Sequence, residues 1–427
     1  MVSTCNNIRR FQRKLYSKSK EDLDYRFYSM YDKIYRYDIL LESYQRCKSN
    51  KGKPGVDGIT FSDIEKSGLK RWLLEISGSL QDRSYKPERV KRVRIPKPGG
   101  GERPLGIPTI RDRVVQMSCK IVLEPIIEAR LNEGLYGYRP NRSAKECVGK
   151  VRSYLKEGYT QVYDCDLRDY FGSIPHEKLI SKMRKYVTDS SMLSLLRKFL
   201  KTPVEYTLPN GRKVVEKSMQ GTPQGGVISP LFANVYLNDF ITLINEKTPC
   251  KAFAYADDFV IMHRSAFTGE QISWIKKLLS QEGLEVNEEK SSMVNMSMIG
   301  GEFDFLGFAF KCSTYFKNRN AKIIKVEVSK TSIKRIKDKI RNIVKHRTNL
   351  PLDELIRRLK YLVRGWRNYF YIKGMDKRIF YRLDFFMTGR FYRWSKRLSQ
   401  RSSKILTPSI YGVLKQRGLE FFSAVTG

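Results

Sequence analysis

Two adjacent aspartates and a distant third are the residues of this 427-residue chain best placed for chemistry. Asp257 and Asp258 stand between two apolar runs (251–262), which predicts a β-hairpin with both carboxylates at its tight turn. Asp166 ends another apolar run (160–166), a predicted strand. Carboxylates on buried strands are costly unless paired or bound to a cation. If the three meet across a sheet, Mg²⁺ would hold them together, because no His or Cys cluster competes; otherwise they are ordinary turn and strand-edge aspartates.

A glycine-rich segment between these aspartates has the features of a loop that contacts a ligand and leads into a helix. In SMQGTPQGGVISPLFANVYL (218–237), the glycines allow the backbone to approach a ligand closely. Ser229 followed by Pro230 is a helix start signal, with the serine as N-cap. An ordinary junction between a loop and a helix would have the same composition, so the segment alone does not decide.

The charge of the chain predicts a polyanionic partner. Lys and Arg total 81 against 44 Asp and Glu, a formal net charge of +37 that is too large for a typical metabolic enzyme. A hydrophobic content of 41% is enough for a core and argues against a disordered basic tail protein. Residues 311–427 hold 30 of the basic and only 7 of the acidic residues, so we place a domain boundary near residue 311.

Three amphipathic helices are predicted in this basic segment. Ile333, Ile336 and Ile340 recur at helical spacing, and similar patterns surround Leu359 and Leu383. Because all three helices carry the same sign of charge, RNA or DNA contact is favoured over a merely solvated face, with a membrane-surface helix as the alternative. The candidate phosphate contacts of the first helix are Lys334, Arg335, Lys337, Lys339, Arg341 and Lys345.

The remaining patterns concern the N-terminus and the compartment. The first fifty residues predict one long basic helix that ends at a Gly, Pro and Asp-rich loop (49–60). No apolar run approaches the roughly 18 residues of a membrane span, and the first residues of the sequence lack the apolar segment of a secretory signal peptide. We therefore expect no membrane contact. The seven cysteines stand apart without a C-x-x-C pair, which is typical of free thiols in a reducing cytoplasm.

The order of these segments along the chain, together with their residues, resembles that of a known family. Asp166 on a strand, then Q-G-T-P-Q-G-G entering a helix, then Y-A-D-D on a hairpin resembles the palm of reverse transcriptases, in the branch encoded by group II introns. The resemblance extends over about 50–420. Its further blocks are RIPKPGGGERPLGIPTIRDRVVQ (94–116), LYGYRPNRSA (135–144), LEVNEEKS (284–291), FDFLGF (303–308) and VRGWRNYF (363–370).

The resemblance implies an α+β right-hand polymerase. We expect an N-terminal extension and fingers in 1–150, a palm with an antiparallel sheet in 151–310, and a helical basic thumb or maturase domain in 311–427. It implies an enzyme that copies an RNA template into DNA from a primer, using dNTPs and two Mg²⁺ ions. It also implies binding of the parent group II intron RNA, to assist splicing, and of target DNA.

The resemblance assigns roles to residues of the site. Asp166, Asp257 and Asp258, with the main-chain carbonyl of Leu167, would be the ligands of the two metal ions.

The nucleotide contacts follow from the same resemblance. Lys97 and Arg103 would clamp the incoming phosphates, Gln224 and Gly225 would pack under the new base pair, and Lys290 would donate a proton to pyrophosphate.

Phe171, five residues after Asp166, would stand where a ribose 2′-hydroxyl would lie and so favour deoxynucleotides. The alternative for Phe171 is a core phenylalanine at a strand end. Gly172 departs from the family, which often has Asp there, and no endonuclease module is visible, so we do not expect second-strand DNA cleavage.

Three rival functions remain open at this point. They are an RNA-binding splicing factor with a vestigial polymerase site, another bacterial reverse transcriptase of retron or diversity-generating type, and an RNA-dependent RNA polymerase.

Overall fold

The computed structural model describes residues 2–96, 100–315, 318–344, 350–396 and 410–424. Contacts between residues divide the chain into two units. Unit 1 comprises Met1–Arg142, Cys165–Ile261 and Phe267–Ser292, and unit 2 comprises Ser143–Asp164, Met262–Ala266 and Met293–Gly427. The three domains expected from the sequence, 1–150, 151–310 and 311–427, stay a prediction.

Helices make up most of the described structure. They are α1 Val2–Glu21, α2 Tyr31–Ile34, α3 Tyr37–Ser49, α4 Phe61–Ser67, α5 Leu69–Gln81, α6 Ile110–Glu128, α7 Ala144–Lys156, α8 Tyr170–Ser173, α9 His176–Met183, α10 Ser190–Leu200, α11 Ser229–Lys247, α12 Gly269–Gln281, α13 Lys330–Val344, α14 Leu352–Phe370, α15 Arg378–Ser395 and α16 Ile410–Gln416. Several begin at side chains that satisfy free N–H groups: Thr60 and Asp63 form a capping box at α4, and Ser143 and Glu146 form one at α7.

The strands form three sheets. They are β1 Val90–Pro96, β2 Glu102–Ile107, β3 Gln161–Asp166, β4 Val204–Thr207, β5 Lys213–Glu216, β6 Lys251–Tyr255, β7 Asp258–His263, β8 Ser292–Asn295, β9 Glu302–Phe305, β10 Phe308–Tyr315 and β11 Asn318–Val328. The strand orders are β2-β1-β4-β5, β11-β10-β9 and β6-β7-β3-β8. In the first sheet, β1 pairs antiparallel with β2 and parallel with β4. Strands β1 and β2 form an antiparallel hairpin, which we call the fingers hairpin because it lies in the segment expected to hold the fingers (1–150).

The prediction of one long helix over the first fifty residues is wrong. Helix α1 ends at Glu21, where the Asp22 carboxylate accepts the N–H groups of Asp24 and Tyr25. Phe27 then pairs with Val187 as an isolated β-bridge, and α3 begins only at Tyr37. Pairing with a distant segment supplies hydrogen bonds that compete with the helix, and apolar spacing in the sequence does not show such pairing.

In unit 2, the three amphipathic helices predicted from the sequence are confirmed as α13, α14 and α15. The residues at the predicted apolar spacing are buried, among them Ile336 and Ile340 on α13, Leu355 on α14, and Leu383 and Met387 on α15. The opposite face of α13 carries the lysines and arginines, as the period of 3.6 residues requires. Among the described residues, no helix is long and apolar enough to cross a membrane.

Candidate active site

The hairpin with the paired aspartates is present as predicted. Strands β6 and β7 are joined by Ala256 and Asp257, and Asp258 is the first residue of β7. Ala256 adopts a left-handed conformation with φ of 62°, which a short turn between two buried strands requires. The flanking residues Ala254 and Phe259 are fully buried, so the turn is fixed to the core while its carboxylates reach solvent.

Asp166 lies next to this turn because β3 and β7 are neighbours in one sheet. The three carboxylates are close enough to repel one another. The pKa of Asp258 is raised to about 6, first by burial of its carboxyl among protein atoms and then by the negative charges of Asp257 and Asp166. Lys290 opposes this rise. The side chain of Asp258 is accessible to water, so its carboxylate keeps part of its hydration.

A loop that follows α12 holds Asp166 on both sides. The Asn287 N–H donates to the Asp166 carbonyl (2.8 Å), and the Asp166 N–H donates to the hydroxyl of Ser291 (3.1 Å). The Asn287 side-chain amide lies 3.3 Å from Asp166 Oδ2, and the Lys290 ammonium lies 3.5 Å from the same oxygen. Leu167 is buried and forms an antiparallel bridge with Val286. This loop fixes the position of the strand end that carries Asp166.

The three carboxylates do not form a finished metal site. In the part of the chain that the structure describes, no group of three or more His, Cys, Asp and Glu side chains could hold a metal ion as placed. The donor set still fits a hard divalent cation, because the aspartates supply only oxygen and their mutual repulsion is what a cation relieves. The ligand roles of Asp166, Asp257, Asp258 and the Leu167 carbonyl remain predictions.

Phe171 lies beside the acidic centre rather than in the core. It belongs to α8, whose first residue Tyr170 is buried and donates its hydroxyl to the Ala233 carbonyl of α11 (2.6 Å). Phe171 itself is partly exposed, and its ring packs edge-on against the ring of Tyr138, with centroids 6.3 Å apart. The alternative of an ordinary core phenylalanine does not agree with this partial exposure.

Tyr138 was missed from the sequence, although the charges of Asp257 and Asp258 act on its hydroxyl. Burial raises the pKa of its hydroxyl first, followed by the charge of Asp257, whereas Arg103 lowers it. Tyr138 has φ of 59°, an uncommon conformation for a residue with a side chain, and about half of its surface is exposed. Gly137 makes this placement possible, because an added Cβ there would collide with the backbone nitrogen of Ala256.

Arg103 of the fingers hairpin reaches the same region. It pairs with Ile95 in the register of β1 and β2, its side chain is exposed, and its charge acts on the Tyr138 hydroxyl. Lys97, the second predicted phosphate clamp, lies outside the described residues.

Gln224 and Gly225 lie where the glycine-rich segment meets strand β2. The Gln224 carbonyl accepts from the Gly106 N–H (2.6 Å), and Gly225 has φ of 110°. A Cβ on Gly225 would overlap the Gly106 carbonyl oxygen, so a glycine is required at this close approach. The Gln224 amide lies 3.5 Å from Asp169 Oδ1, at the edge of a cavity of about 430 Å³ that Gly106 and Gly172 also line.

The start of helix α11 differs from the prediction. The helix begins at Ser229 as expected, but Ser229 is its first residue and Ile228 is the N-cap, without a side-chain cap. The Ser229 hydroxyl instead donates to the Pro223 carbonyl (2.9 Å) and accepts from the hydroxyl of Thr222 (2.7 Å). The serine therefore stabilises the glycine-rich turn rather than the helix terminus.

Asn287 is the second residue that sequence reasoning missed. It stands in LEVNEEKS, a block recognised for Lys290 alone, and its role follows from contacts with a strand more than a hundred residues away. For Tyr138, the signal available in the sequence was the preceding glycine, which indicates a backbone approach.

The predicted RNA contacts lie on the outward face of α13 in unit 2. Lys334, Arg335 and Lys339 are exposed. Lys337 and Arg341 lie over the ring of Phe386, at 5.3 and 5.2 Å from its centroid. Lys345 lies outside the described residues.

Comparison with known proteins identifies two family regions. The family described as reverse transcriptase (RNA-dependent DNA polymerase) matches residues 95–310, which is half of the chain. The family described as group II intron, maturase-specific domain matches residues 333–409.

Individual relatives agree with these matches. Protein YkfC of Escherichia coli (strain K12) is 34% identical over 247 residues, which cover 56% of this chain and 63% of that protein. The group II intron-encoded protein LtrA of Lactococcus lactis subsp. cremoris is 33% identical over 229 residues, or 53% of this chain and 37% of LtrA. The matched part is thus less than two thirds of either relative.

Among solved structures, telomerase from Candida albicans in complex with a fragment of telomeric RNA has a TM-score of 0.44 and 14% identity, covering 83% of this chain and 66% of that chain. Because the reverse transcriptase match includes strand β2 of the fingers hairpin, strand β3 and the aspartate hairpin, the predicted right-hand polymerase class is confirmed. The chain belongs to the reverse transcriptase (RNA-dependent DNA polymerase) family, in the group II intron-encoded branch that carries a maturase-specific domain.

Proposed function

We propose that the chain is an RNA-directed DNA polymerase that extends a DNA primer on an RNA template with dNTPs. The observation that carries this proposal is the position of Asp166 on β3, the neighbour of β7, beside Asp257 and Asp258: burial first, and then the charges of Asp257 and Asp166, raise the pKa of Asp258 to about 6. Phe171 packs against Tyr138, on whose hydroxyl the charges of Asp257 and Asp258 act. A cluster of carboxylates beside aromatic side chains suits a site that binds metal ions together with a nucleotide.

Asp166 and Asp257 would be the main ligands of two Mg²⁺ ions, with Asp258 and the carbonyl of Leu167 completing the set. When bound, such an ion pair polarises the attacking hydroxyl and stabilises charge in an in-line displacement. The chain's own groups orient this centre: Asn287 and Ser291 hold the strand end at Asp166. Lys290 is close enough to Asp166 to offset its charge, and its part as proton donor to pyrophosphate belongs to the same proposal.

The nucleotide would enter between the fingers hairpin and the aspartates. Lys97 and Arg103 would bind its phosphates, since a guanidinium offers paired donors to phosphate oxygens. Gln224 and Gly225 would support the new base pair from the glycine-rich turn. Phe171, whose ring packs against Tyr138, would occupy the space of a 2′-hydroxyl and so select dNTPs.

Primer extension on an RNA template tests the enzymatic proposal. Wild-type protein should extend the primer with dNTPs and Mg²⁺, and Asp257→Ala should lose activity by at least about a hundredfold while its circular dichroism is unchanged. Asp57→Ala, in an exposed loop of unit 1, is the matched control and should retain activity. No extension by the wild-type protein would favour the splicing-factor alternative, and equal extension by wild type and Asp257→Ala would contradict the proposed site.

The remaining alternatives have their own tests. Phe171→Ala should raise the use of ribonucleotides; no change would count against the proposed gate. An intron surrounding the coding sequence would separate this chain from reverse transcriptases of retron or diversity-generating type.

A second proposed function is binding of the parent group II intron RNA to assist splicing and mobility, with target DNA as a further partner. The match of residues 333–409 to the maturase-specific domain and the basic face of α13 support it. Splicing of the intron with and without the protein tests it, and equal splicing rates at low Mg²⁺ would contradict it. A cytoplasmic location belongs to the same proposal.

A further inference from the structure

The outward face of helix α15 carries large aromatic side chains that the fold does not bury. Phe385 is 82% exposed, Tyr381 60% and Tyr392 48%. Their spacing of four and seven residues places them on one side of the helix, which we call the aromatic stripe. The opposite side, with Leu383 and Met387, is buried. A contiguous exposed aromatic patch is uncommon on a solvent-facing protein surface and indicates a binding site for a ligand or partner.

A glycine interrupts the side-chain layer beside the stripe. Gly389 follows Phe385 by one helical turn, and an added Cβ there would meet no atom of the described chain within 4 Å. Packing inside the protein therefore does not explain this glycine, which is less favourable than alanine in a helix interior. The missing side chain leaves a notch between Phe385 and Tyr392 that a flat ring could enter.

The charges around the stripe are of one sign. Arg382 and Arg393 flank it, and the Lys396 ammonium lies 4.7 Å from the ring centroid of Tyr392. Asp384 is the one acidic residue of α15, and its carboxylate points inward, where it accepts the N–H groups of Phe422 and Ser423. The outward face of the helix therefore combines aromatic rings with positive charge.

This combination fits a strand of unpaired nucleotides. Such a strand offers flat bases that stack on aromatic rings and phosphates that pair with arginine or lysine. A duplex offers the phosphates but hides the faces of its bases. An apolar protein partner would use the rings but not the flanking cations.

We propose that the aromatic stripe is a stacking surface for unpaired nucleotides, with bases against Phe385 and Tyr381 and phosphates near Arg382 and Arg393. The inference rests on the proposed function, because it gives a bound RNA a second kind of contact in addition to the basic face of α13, whose Lys337 and Arg341 lie over Phe386. It adds recognition of single-stranded segments, which phosphate contacts alone do not distinguish from duplex.

Photo-crosslinking of the full chain locates the contact. The polymerase cleft is first occupied with an RNA template and DNA primer, and a single-stranded RNA of about 12 nucleotides that carries 4-thiouridine is then added and irradiated. Trypsin releases the peptides 379–382 and 383–390, which contain Tyr381 and Phe385. We expect a nucleotide adduct on one or both of these peptides. Adducts confined to peptides outside α15 would overturn the proposal.

Substitutions on the stripe separate stacking from simple apolar contact. Phe385→Leu keeps an apolar side chain without a π face and should weaken binding of single-stranded RNA about tenfold, whereas Phe385→Tyr should retain the affinity. Gly389→Leu adds a side chain where a Cβ meets no described atom within 4 Å, so it should weaken binding similarly while thermal unfolding is unchanged or raised. Leu74→Ala, which alters an exposed residue of α5 in unit 1, is the matched control and should change nothing.

The comparison of ligands completes the test. Affinity for an RNA duplex of the same length should change less than about twofold in Phe385→Leu, because its phosphates do not need the ring. Loss of duplex and single-strand binding together, or a wild-type dimer that Phe385→Leu dissociates, would overturn the stacking role. The affinity for single-stranded DNA of the same length, compared with that for single-stranded RNA, shows whether the stripe distinguishes ribose from deoxyribose. Primer extension by wild type tests the polymerase separately, so failure of one proposal is distinguishable from failure of the other.

Discussion

At the residue scale, the site depends on a carboxyl that the fold holds in an unfavourable state. Asp258 keeps a charge beside Asp257 and Asp166, and burial together with these neighbours raises its pKa to about 6. Because the pKa in the folded state lies above the ordinary aspartate pKa of 3.8, the folded state binds more protons than the unfolded state between these two values. The wild-type chain therefore loses stability as pH rises from about 4 to about 6.

Replacing Asp258 should show this cost. In metal-free buffer, Asp258→Asn should raise the free energy of unfolding by about 1 kcal/mol at pH 7, a figure reduced to allow for the solvent that reaches the carboxylate. The gain should vanish near pH 3.5, where the aspartic acid is already neutral. Urea unfolding at both pH values measures it. A gain that persists at pH 3.5 would mean that the effect is not electrostatic.

Asn287 is expected to act as a positioning residue. Asn287→Ala removes the amide beside Asp166 Oδ2 but keeps the backbone hydrogen bond, so it should cost only about 1 kcal/mol of stability. The kcat of primer extension should fall about tenfold with little change in the KM for dNTP, since the carboxylate would be held less accurately. Asn210→Ala, in an exposed turn, is the control. An unchanged kcat would remove Asn287 from the site.

At the element scale, local patterns predicted structure well where short-range chemistry decides it. The hairpin of β6 and β7, the strand that ends at Asp166 and the three helices of unit 2 follow directly from apolar period and turn residues. The prediction of one long N-terminal helix was wrong because Phe27 forms an isolated β-bridge with Val187. Tyr138 and Asn287 were missed for the same reason: their partners are remote in sequence.

The contact between the glycine-rich turn and strand β2 gives a prediction at this scale. Gly225→Ala places a Cβ on the Gly106 carbonyl at a positive φ, so it should destabilise unit 1 by about 2 kcal/mol and abolish primer extension. Gly78→Ala in α5 meets open space and should instead add about 0.5–1 kcal/mol of stability. Thermal and urea unfolding of both variants measure these effects. A neutral Gly225→Ala would contradict the described close approach.

At the scale of the whole molecule, the net charge of +37 is an argument about partners rather than about fold. The charge predicted a nucleic-acid partner independently of any motif, and residues 311–427 hold a large part of the positive excess. Composition could not separate a basic face that contacts phosphate from one that is solvated, because both have the same sequence pattern. The exposed position of Lys334, Arg335 and Lys339 on α13 makes them the residues to test.

Salt dependence provides that test. Changing Lys334, Arg335 and Lys339 together to Gln should weaken binding of intron RNA and reduce the slope of log affinity against log salt by about 2. Lys66, Lys70 and Arg71, changed together to Gln in unit 1, are the control with the same change in net charge. Equal effects of the two triple variants would mean that net charge, and not this face of α13, determines RNA affinity.

The most direct test locates the cations themselves. In a complex of the wild-type chain with RNA template, DNA primer and dNTP, Fe²⁺ replaces Mg²⁺, and ascorbate with peroxide then generates radicals that cut the backbone near the bound metal. We predict cuts beside both Asp166 and the turn at Asp257 and Asp258, which disappear in Asp257→Asn. Cuts at only one of the two segments, or an unchanged pattern in the variant, would contradict a shared metal site.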